Sequence, residues 1–184
     1  NLRPKDTFNV LLFAGGNTVL SPNSLPANRD NVQRALQLIR EQRGGGATEL
    51  LPALKRALAL PRDENRSRSI VVVTDGYVTI EKEAFELIRT HLGDANLFAF
   101  GVGTAVNRFL IEGMARAGTG ESFVVNNERG AEQEADRFRR YIESPVLARV
   151  KVSLDGLDAY DVEPQSVTDV FASRPVIVFG KWRG

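Results

Sequence analysis

The sequence predicts an α/β fold: a doubly wound, mostly parallel sheet with helices on both faces. Ile70-Val71-Val72-Val73 is a run of β-branched apolar residues with no polar alternation, the pattern of a central strand covered on both sides. Leu97-Phe98-Ala99-Phe100-Gly101-Val102-Gly103 is a second such run, ended by glycine. Between and after them lie segments with apolar residues at helical spacing, so strand and helix alternate along the chain.

The elements follow in order. Phe8-Asn9-Val10-Leu11-Leu12-Phe13 predicts a strand, ended by Ala14-Gly15-Gly16-Asn17, with Thr18-Val19-Leu20 as a short partner across a turn. Ser21-Pro22-Asn23-Ser24 is loop by composition. From about Asn28 to Gln42 the residues Val32, Ala35, Leu36 and Ile39 fall at helical spacing, and Gly44-Gly45-Gly46 stops the helix. Thr48 is the expected N-cap of the next helix, whose stripe is Leu50, Leu51, Leu54 and Leu58 and whose Pro52 is tolerable in the first turn. The polar stretch from Pro61 to Ser69 leads into the strand at Ile70. A helix from about Ile80 to Leu92 presents Phe85, Ile88 and Leu92. Asn107 is placed to cap a helix bearing Leu110, Ile111 and Met114. Ser122-Phe123-Val124-Val125 predicts a short strand, and Ala131 to Glu143 a helix with Ala135, Phe138 and Ile142 inward.

The pattern changes at Ser144-Pro145. Val146 to Leu154 alternates imperfectly and Val176-Ile177-Val178-Phe179 predicts a strand ending at Gly180, with irregular chain between them. Residues 1–143 are therefore expected to form the α/β domain and residues 144–184 the start of a β-rich segment too short to close alone.

Composition narrows the function. Among 184 residues, 42% are hydrophobic and 26% charged, ordinary for a globular protein, and 24 Lys+Arg balance 23 Asp+Glu. That balance supplies no electrostatic argument for nucleic acid. No apolar run approaches the roughly 20 residues of a membrane span. The absence of cysteine excludes disulfides and thiol chemistry here, and the single His91 excludes multi-histidine metal sites.

Each motif has a plain reading beside a functional one. Gly101-Val102-Gly103-Thr104 is part of a dinucleotide fingerprint, but Val106 stands where the third glycine belongs, and the strand comes late in the chain. His91 falls near a helix end and is expected on the surface. Glu81, Glu83 and Glu86 are expected to form a solvated helix face, and Arg137-Phe138-Arg139-Arg140 surface charge around one buried Phe. Asp75, at the carboxyl end of its strand, either caps the following turn or stands where open α/β sheets bind ligands. Thr48 would project toward the same edge. A hydroxyl and a carboxylate suit a hard divalent cation such as Mg²⁺, although two oxygens alone would hold it poorly.

At these residues the chain resembles a known family. Asp6-x-Phe8…Phe13, Gly45-Gly46-Ala47-Thr48-Glu49, Val72-Val73-Thr74-Asp75-Gly76 and Phe100-Gly101-Val102-Gly103 follow one another as in a von Willebrand factor type A domain. Asn107-Arg108-Phe109-Leu110 and Ala115-x-x-Gly118-x-Gly120 continue the likeness. The tail, Ser144-Pro145-Val146-Leu147 through Phe171-Ala172-x-x-Pro175-x-x-Val178-Phe179-Gly180, resembles inter-α-trypsin inhibitor heavy-chain-like proteins, their bacterial relatives included. The resemblance implies a non-enzymatic protein-binding or adhesion module with a metal-ion-dependent adhesion site, in an extracellular or cell-envelope setting. There Mg²⁺ or Mn²⁺ is held by a DxSxS stretch, a threonine and an aspartate, and a partner's acidic side chain completes the coordination. The threonine matches Thr48 and the aspartate Asp75.

No DxSxS occurs in these residues, and the family's GGT reads Gly46-Ala47-Thr48. By this resemblance the first strand of the sheet is missing from the chain, its metal site is incomplete, and metal binding is expected to be absent or weak. Two unpaired strand edges and an apolar trench are expected where that strand would lie, closed by rearrangement, a homo-oligomer or a strand-swapped dimer. The alternative class is an α/β enzyme using Asp75. The lack of a second acid, base or nucleophile near it favours binding.

Overall fold

A computed structural model describes residues 2–13, 18–42, 49–75, 78, 80–142, 145–147, 150, 152–163, 170–171 and 176–183. The chain opens with β1 (Thr7–Phe8), β2 (Leu11–Leu12), β3 (Thr18–Val19) and β4 (Leu25–Pro26). β1 pairs antiparallel with β4, and β2 with β3, in the register Leu11↔Val19 and Leu12↔Thr18. The hairpin partner at Thr18 is thus present, but the expected single strand Phe8–Phe13 is broken. Asn9 breaks it: its side-chain Oδ1 accepts from the Val10 N–H at 2.9 Å and its amide donates to the Ser21 carbonyl at 2.7 Å. Such local bonds compete with a strand ladder.

Helix α1 (Arg29–Glu41) starts where expected, with the Asn28 side chain accepting from the Asn31 N–H. Its apolar stripe is only partly covered. Ala35 is buried, while Leu36 and Ile39 are exposed. The glycine stop at 44–46 lies outside the described residues. Helix α2 (Leu50–Ala59) follows, with Glu49 rather than Thr48 at the cap position. Thr48 also lies outside the described residues.

Strand β5 (Ser69–Thr74), helix α3 (Glu81–His91), strand β6 (Asn96–Val102), helix α4 (Arg108–Ala117), strand β7 (Ser122–Val125) and helix α5 (Glu128–Ile142) then alternate. The three strands form a parallel sheet in the order β5-β6-β7. Helices α2, α3 and α4 supply Leu50, Leu54, Ala84, Ile88, Leu110, Ile111 and Met114 to a core on one face. Phe138 of α5 covers Phe98, Phe100 and Phe123 on the other, edge-to-face at 5.2–5.6 Å. Helices therefore lie on both faces, as the patterning requires. α4 and β7 meet at a tight joint: a Cβ on Gly120 would stand 1.8 Å from the Leu97 carbonyl oxygen.

The expected central strand is corrected. β5 pairs with β6 on one side only among the described residues, and β6 is the middle strand. Val72 and Thr74 are buried, but Val71 and Val73 are 44% and 54% exposed. An apolar run reports what a strand can bury, and among the described residues no helix covers the second face of β5.

Among the described residues that follow are two antiparallel ribbons, β8 (Pro145–Leu147) with β10 (Val170–Phe171), and β9 (Asp158–Glu163) with β11 (Phe179–Arg183). Strand β9 lies where the sequence predicts irregular chain, and β11 runs through Gly180 instead of stopping there. The described residues 152–154, expected in a strand, are not in one. Cross-strand contacts supply what alternation did not show: Lys181 pairs with Asp161, and the Arg183 guanidinium lies over the Tyr160 ring at 4.8 Å.

Candidate functional site

The carboxyl edge of the parallel sheet is built from the ends of β5 and β6. Asp75 immediately follows β5 and its side chain is exposed. Of its neighbours in sequence, Val78 and Ile80 are described and partly buried; residues 76, 77 and 79 lie outside the described set. At the end of β6, Gly103 takes φ +119°, which a side chain would resist, and the chain turns toward α4.

Asn107 ties this edge together. It is buried, and its Oδ1 accepts from the Leu110 N–H at 3.1 Å, capping α4 as the sequence predicts. Its amide also donates to the Val78 carbonyl at 3.2 Å and to the Glu81 carboxylate at 2.8 Å. One side chain thus joins the loop after β5, the start of α3 and the start of α4. Sequence reasoning missed this second role, because spacing along one helix says nothing about a bond to another. Glu81 is corrected accordingly: it is partly buried and engaged at the sheet edge, whereas Glu83 and Glu86 are solvated as expected.

The direction of α2 bears on Thr48. Arg68, just before β5, donates to the carbonyls of Ala57 and Leu60 at 2.6 and 3.2 Å. The carboxyl end of α2 therefore sits at the amino end of β5. Leu50 and Leu54 pack in the same core as Val72, so the helix runs back along the strand and its amino end lies toward the edge bearing Asp75. A helix amino end carries unpaired N–H groups and partial positive charge. Among the described residues, no group of three or more His, Cys, Asp or Glu could hold a metal ion.

The other motifs take their plain readings. A Cβ on Gly101 would meet Val106 at 2.3 Å, so this glycine of the partial dinucleotide fingerprint serves close packing. His91 is exposed on α3, its Nδ1 3.1 Å from the Leu87 carbonyl. Arg137 pairs with Glu134 and Glu121 and lies over the Phe123 ring at 5.1 Å. No described helix is long and apolar enough to cross a membrane.

Fold and edge together define a class: a doubly wound α/β domain whose candidate site is the carboxyl edge of its parallel sheet. The von Willebrand factor type A domain family matches residues 1–123, and the chain belongs to that family, whose members are in general protein-interaction modules. A von Willebrand factor A domain-containing protein of Dictyostelium discoideum is 28% identical over 178 residues, covering 95% of this chain and 8% of that protein. Inter-alpha-trypsin inhibitor heavy chain H3 of Bos taurus is 24% identical over 194 residues, covering 98% of this chain and 22% of its own length. The chain thus spans less than a quarter of these relatives. A solved von Willebrand factor type A structure from Catenulispora acidiphila superposes with a TM-score of 0.67 at 16% identity, over 100% of this chain and 47% of that one. It supports the fold alone.

Proposed function

We propose that the carboxyl edge of β5 is half of a divalent-cation site, with Thr48 and Asp75 as ligands to Mg²⁺ or Mn²⁺. In the intact protein, this site grips an acidic side chain of a partner protein without catalysing a reaction. The observation that carries the reading is the course of α2, which brings its amino end toward the edge where the Asp75 carboxylate is exposed. A neutral hydroxyl and a carboxylate leave a hard cation with net positive charge and open positions, and such an ion binds an incoming carboxylate. Within these 184 residues the donor set is short of the DxSxS oxygens, so the isolated chain binds metal weakly or not at all. To the same reading belong an extracellular or envelope setting, a division near residue 143 between the α/β domain and a β-rich segment, and self-association of the chain.

Calorimetry tests it. Mg²⁺ and Mn²⁺ are titrated into the 184-residue chain and into a version carrying an added amino-terminal strand with DxSxS. The extended version should bind at least tenfold more tightly, and Asp75→Ala or Thr48→Ala should remove the gain. Equal affinity of the two versions, or metal binding indifferent to both substitutions, would overturn the reading.

A further inference from the structure

Helices α3 and α4 meet along a seam that presents an aromatic pair to solvent. Phe109, in the first turn of α4, is 69% exposed, more than any other large apolar residue among those described up to residue 142. Its ring meets Phe85 of α3 edge-on, with centroids 5.8 Å apart and planes at 65°. Phe85 is partly buried and lies in the space left by Gly113, where a Cβ would stand 2.0 Å from the Phe85 Cζ. One turn nearer the sheet edge, the bond from Asn107 to Glu81 fastens the two helices together. The pair is therefore held in place before anything binds, which lowers the entropic cost of docking on it.

A single exposed apolar side chain is ordinary, and the charges around this one are what mark it. Lys82 and Arg89 stand three residues before and four after Phe85, and Arg116 two turns after Phe109, so helical spacing sets all three beside the seam. All three are exposed, and none forms an ion pair among the described residues. On the stripe of Phe109 a single acid, Glu112, stands against them, while Glu83 and Glu86 fall further round α3. Cations that flank an exposed ring in this way attract carboxylates and repel other cations.

We propose that the seam between α3 and α4 docks an acidic, apolar-striped helix of a partner protein. Its apolar side chains cover Phe109 and the open side of Phe85, and its carboxylates meet Lys82, Arg89 and Arg116. The two host helices run side by side in one direction, since Glu81 meets Asn107 and Phe85 meets Phe109 and Gly113. They leave a shallow groove of roughly 10 Å from Phe109 to Arg116, the length of two turns of a guest helix. Amphipathic helices use such grooves with anchors at i, i+3, i+4 and i+7. An anionic membrane fits less well, because Glu83, Glu86 and Glu112 are exposed on the same two helices and would face its headgroups. The seam lies along the flank of the helices, and the proposal stands independently of metal at Asp75.

NMR titration of the 184-residue chain tests it. The probes are two capped peptides, Glu-Glu-Leu-Glu-Ala-Leu-Leu-Glu-Ala-Leu-Glu-Glu and its counterpart with Lys in place of every Glu. The acidic peptide should shift the amides of α3 and α4 around Phe85 and Phe109, and should bind about tenfold more tightly than the Lys peptide. Phe109→Ser should weaken the acidic peptide about tenfold or more while the amides of the sheet keep their positions. Arg89→Glu together with Arg116→Glu should reverse the preference, so that the Lys peptide binds the more tightly, which a merely adhesive apolar surface would not do. No shifts on α3 and α4, equal binding of the two peptides, binding indifferent to Phe109→Ser, or an unchanged preference in the double variant would each overturn the proposal. Binding to phosphatidylserine vesicles that is lost in Phe109→Ser, without binding of the acidic peptide, would assign the seam to a membrane and overturn it as well.

Discussion

Strands β5 and β6 have similar sequences and different surroundings. Both are apolar runs in one parallel sheet, yet β6 is buried from Asn96 to Gly101 and β5 alternates between buried and exposed residues. β6 has a neighbour on each edge and helices over each face. Among the described residues β5 has one neighbour, and only the face toward α2, α3 and α4 is packed. The comparison teaches that burial belongs to the neighbours of a strand as much as to its residues. The same Val side chain is core at 72 and surface at 73.

The largest expected effect sharpens that contrast on the closed side. Phe98→Ala removes a fully buried ring from the cluster with Phe138 and should destabilise the domain by about 3–5 kcal/mol in chemical denaturation. A loss below about 1 kcal/mol would mean the second face is not packed as described. Next comes the edge that both strands share. Asn107→Ala removes the cap of α4 and its bond to Glu81, and should cost about 1–2 kcal/mol by the same measurement. Glu81→Gln, which keeps an acceptor oxygen, should lose about half of that or less.

On the open side the effect should be small. Val73→Thr replaces an exposed methyl with a hydroxyl on a strand that tolerates either, so stability should change by no more than about 0.5 kcal/mol. A larger loss would show that something covers this face in solution. The smallest effect concerns Asp6. Partial burial pushes its carboxyl up, but the Arg3 N–H and guanidinium outweigh this and hold it below the ordinary value of 3.8. A depressed carboxyl contributes stability that is fully present above the unfolded value and fades as pH falls through the folded one. Wild type should therefore lose slightly more stability than Asp6→Asn between about pH 5 and pH 2, by well under 1 kcal/mol for so exposed a pair.

Much of this was legible in the chain, and the reasons differ by region. The alternation of Ile70–Thr74, Leu97–Val102 and Ser122–Val125 with amphipathic helices marks a parallel sheet, because only a sheet covered by crossover helices makes use of such runs. Asn28 and Asn107 are readable as caps because a cap bonds within three residues of itself. The same locality limits the reading elsewhere. The break at Asn9 depends on Ser21, the ribbon at β9 depends on β11, and the bond from Asn107 to Glu81 crosses 26 residues. Asp75 was legible as a strand-end carboxylate, while its relation to the amino end of α2 needed the Arg68 bonds that orient the helix.

The sequence by itself determined the fold class, most of the helices, the parallel strands and the family, since periodicity and caps are short-range properties written in neighbouring residues. Only the tertiary structure decided which strand is central, which valines are wet, and that Phe85 and Phe109 meet where α3 and α4 join. Those depend on which elements happen to meet, and no pattern of side chains along one strand records what stands beside it.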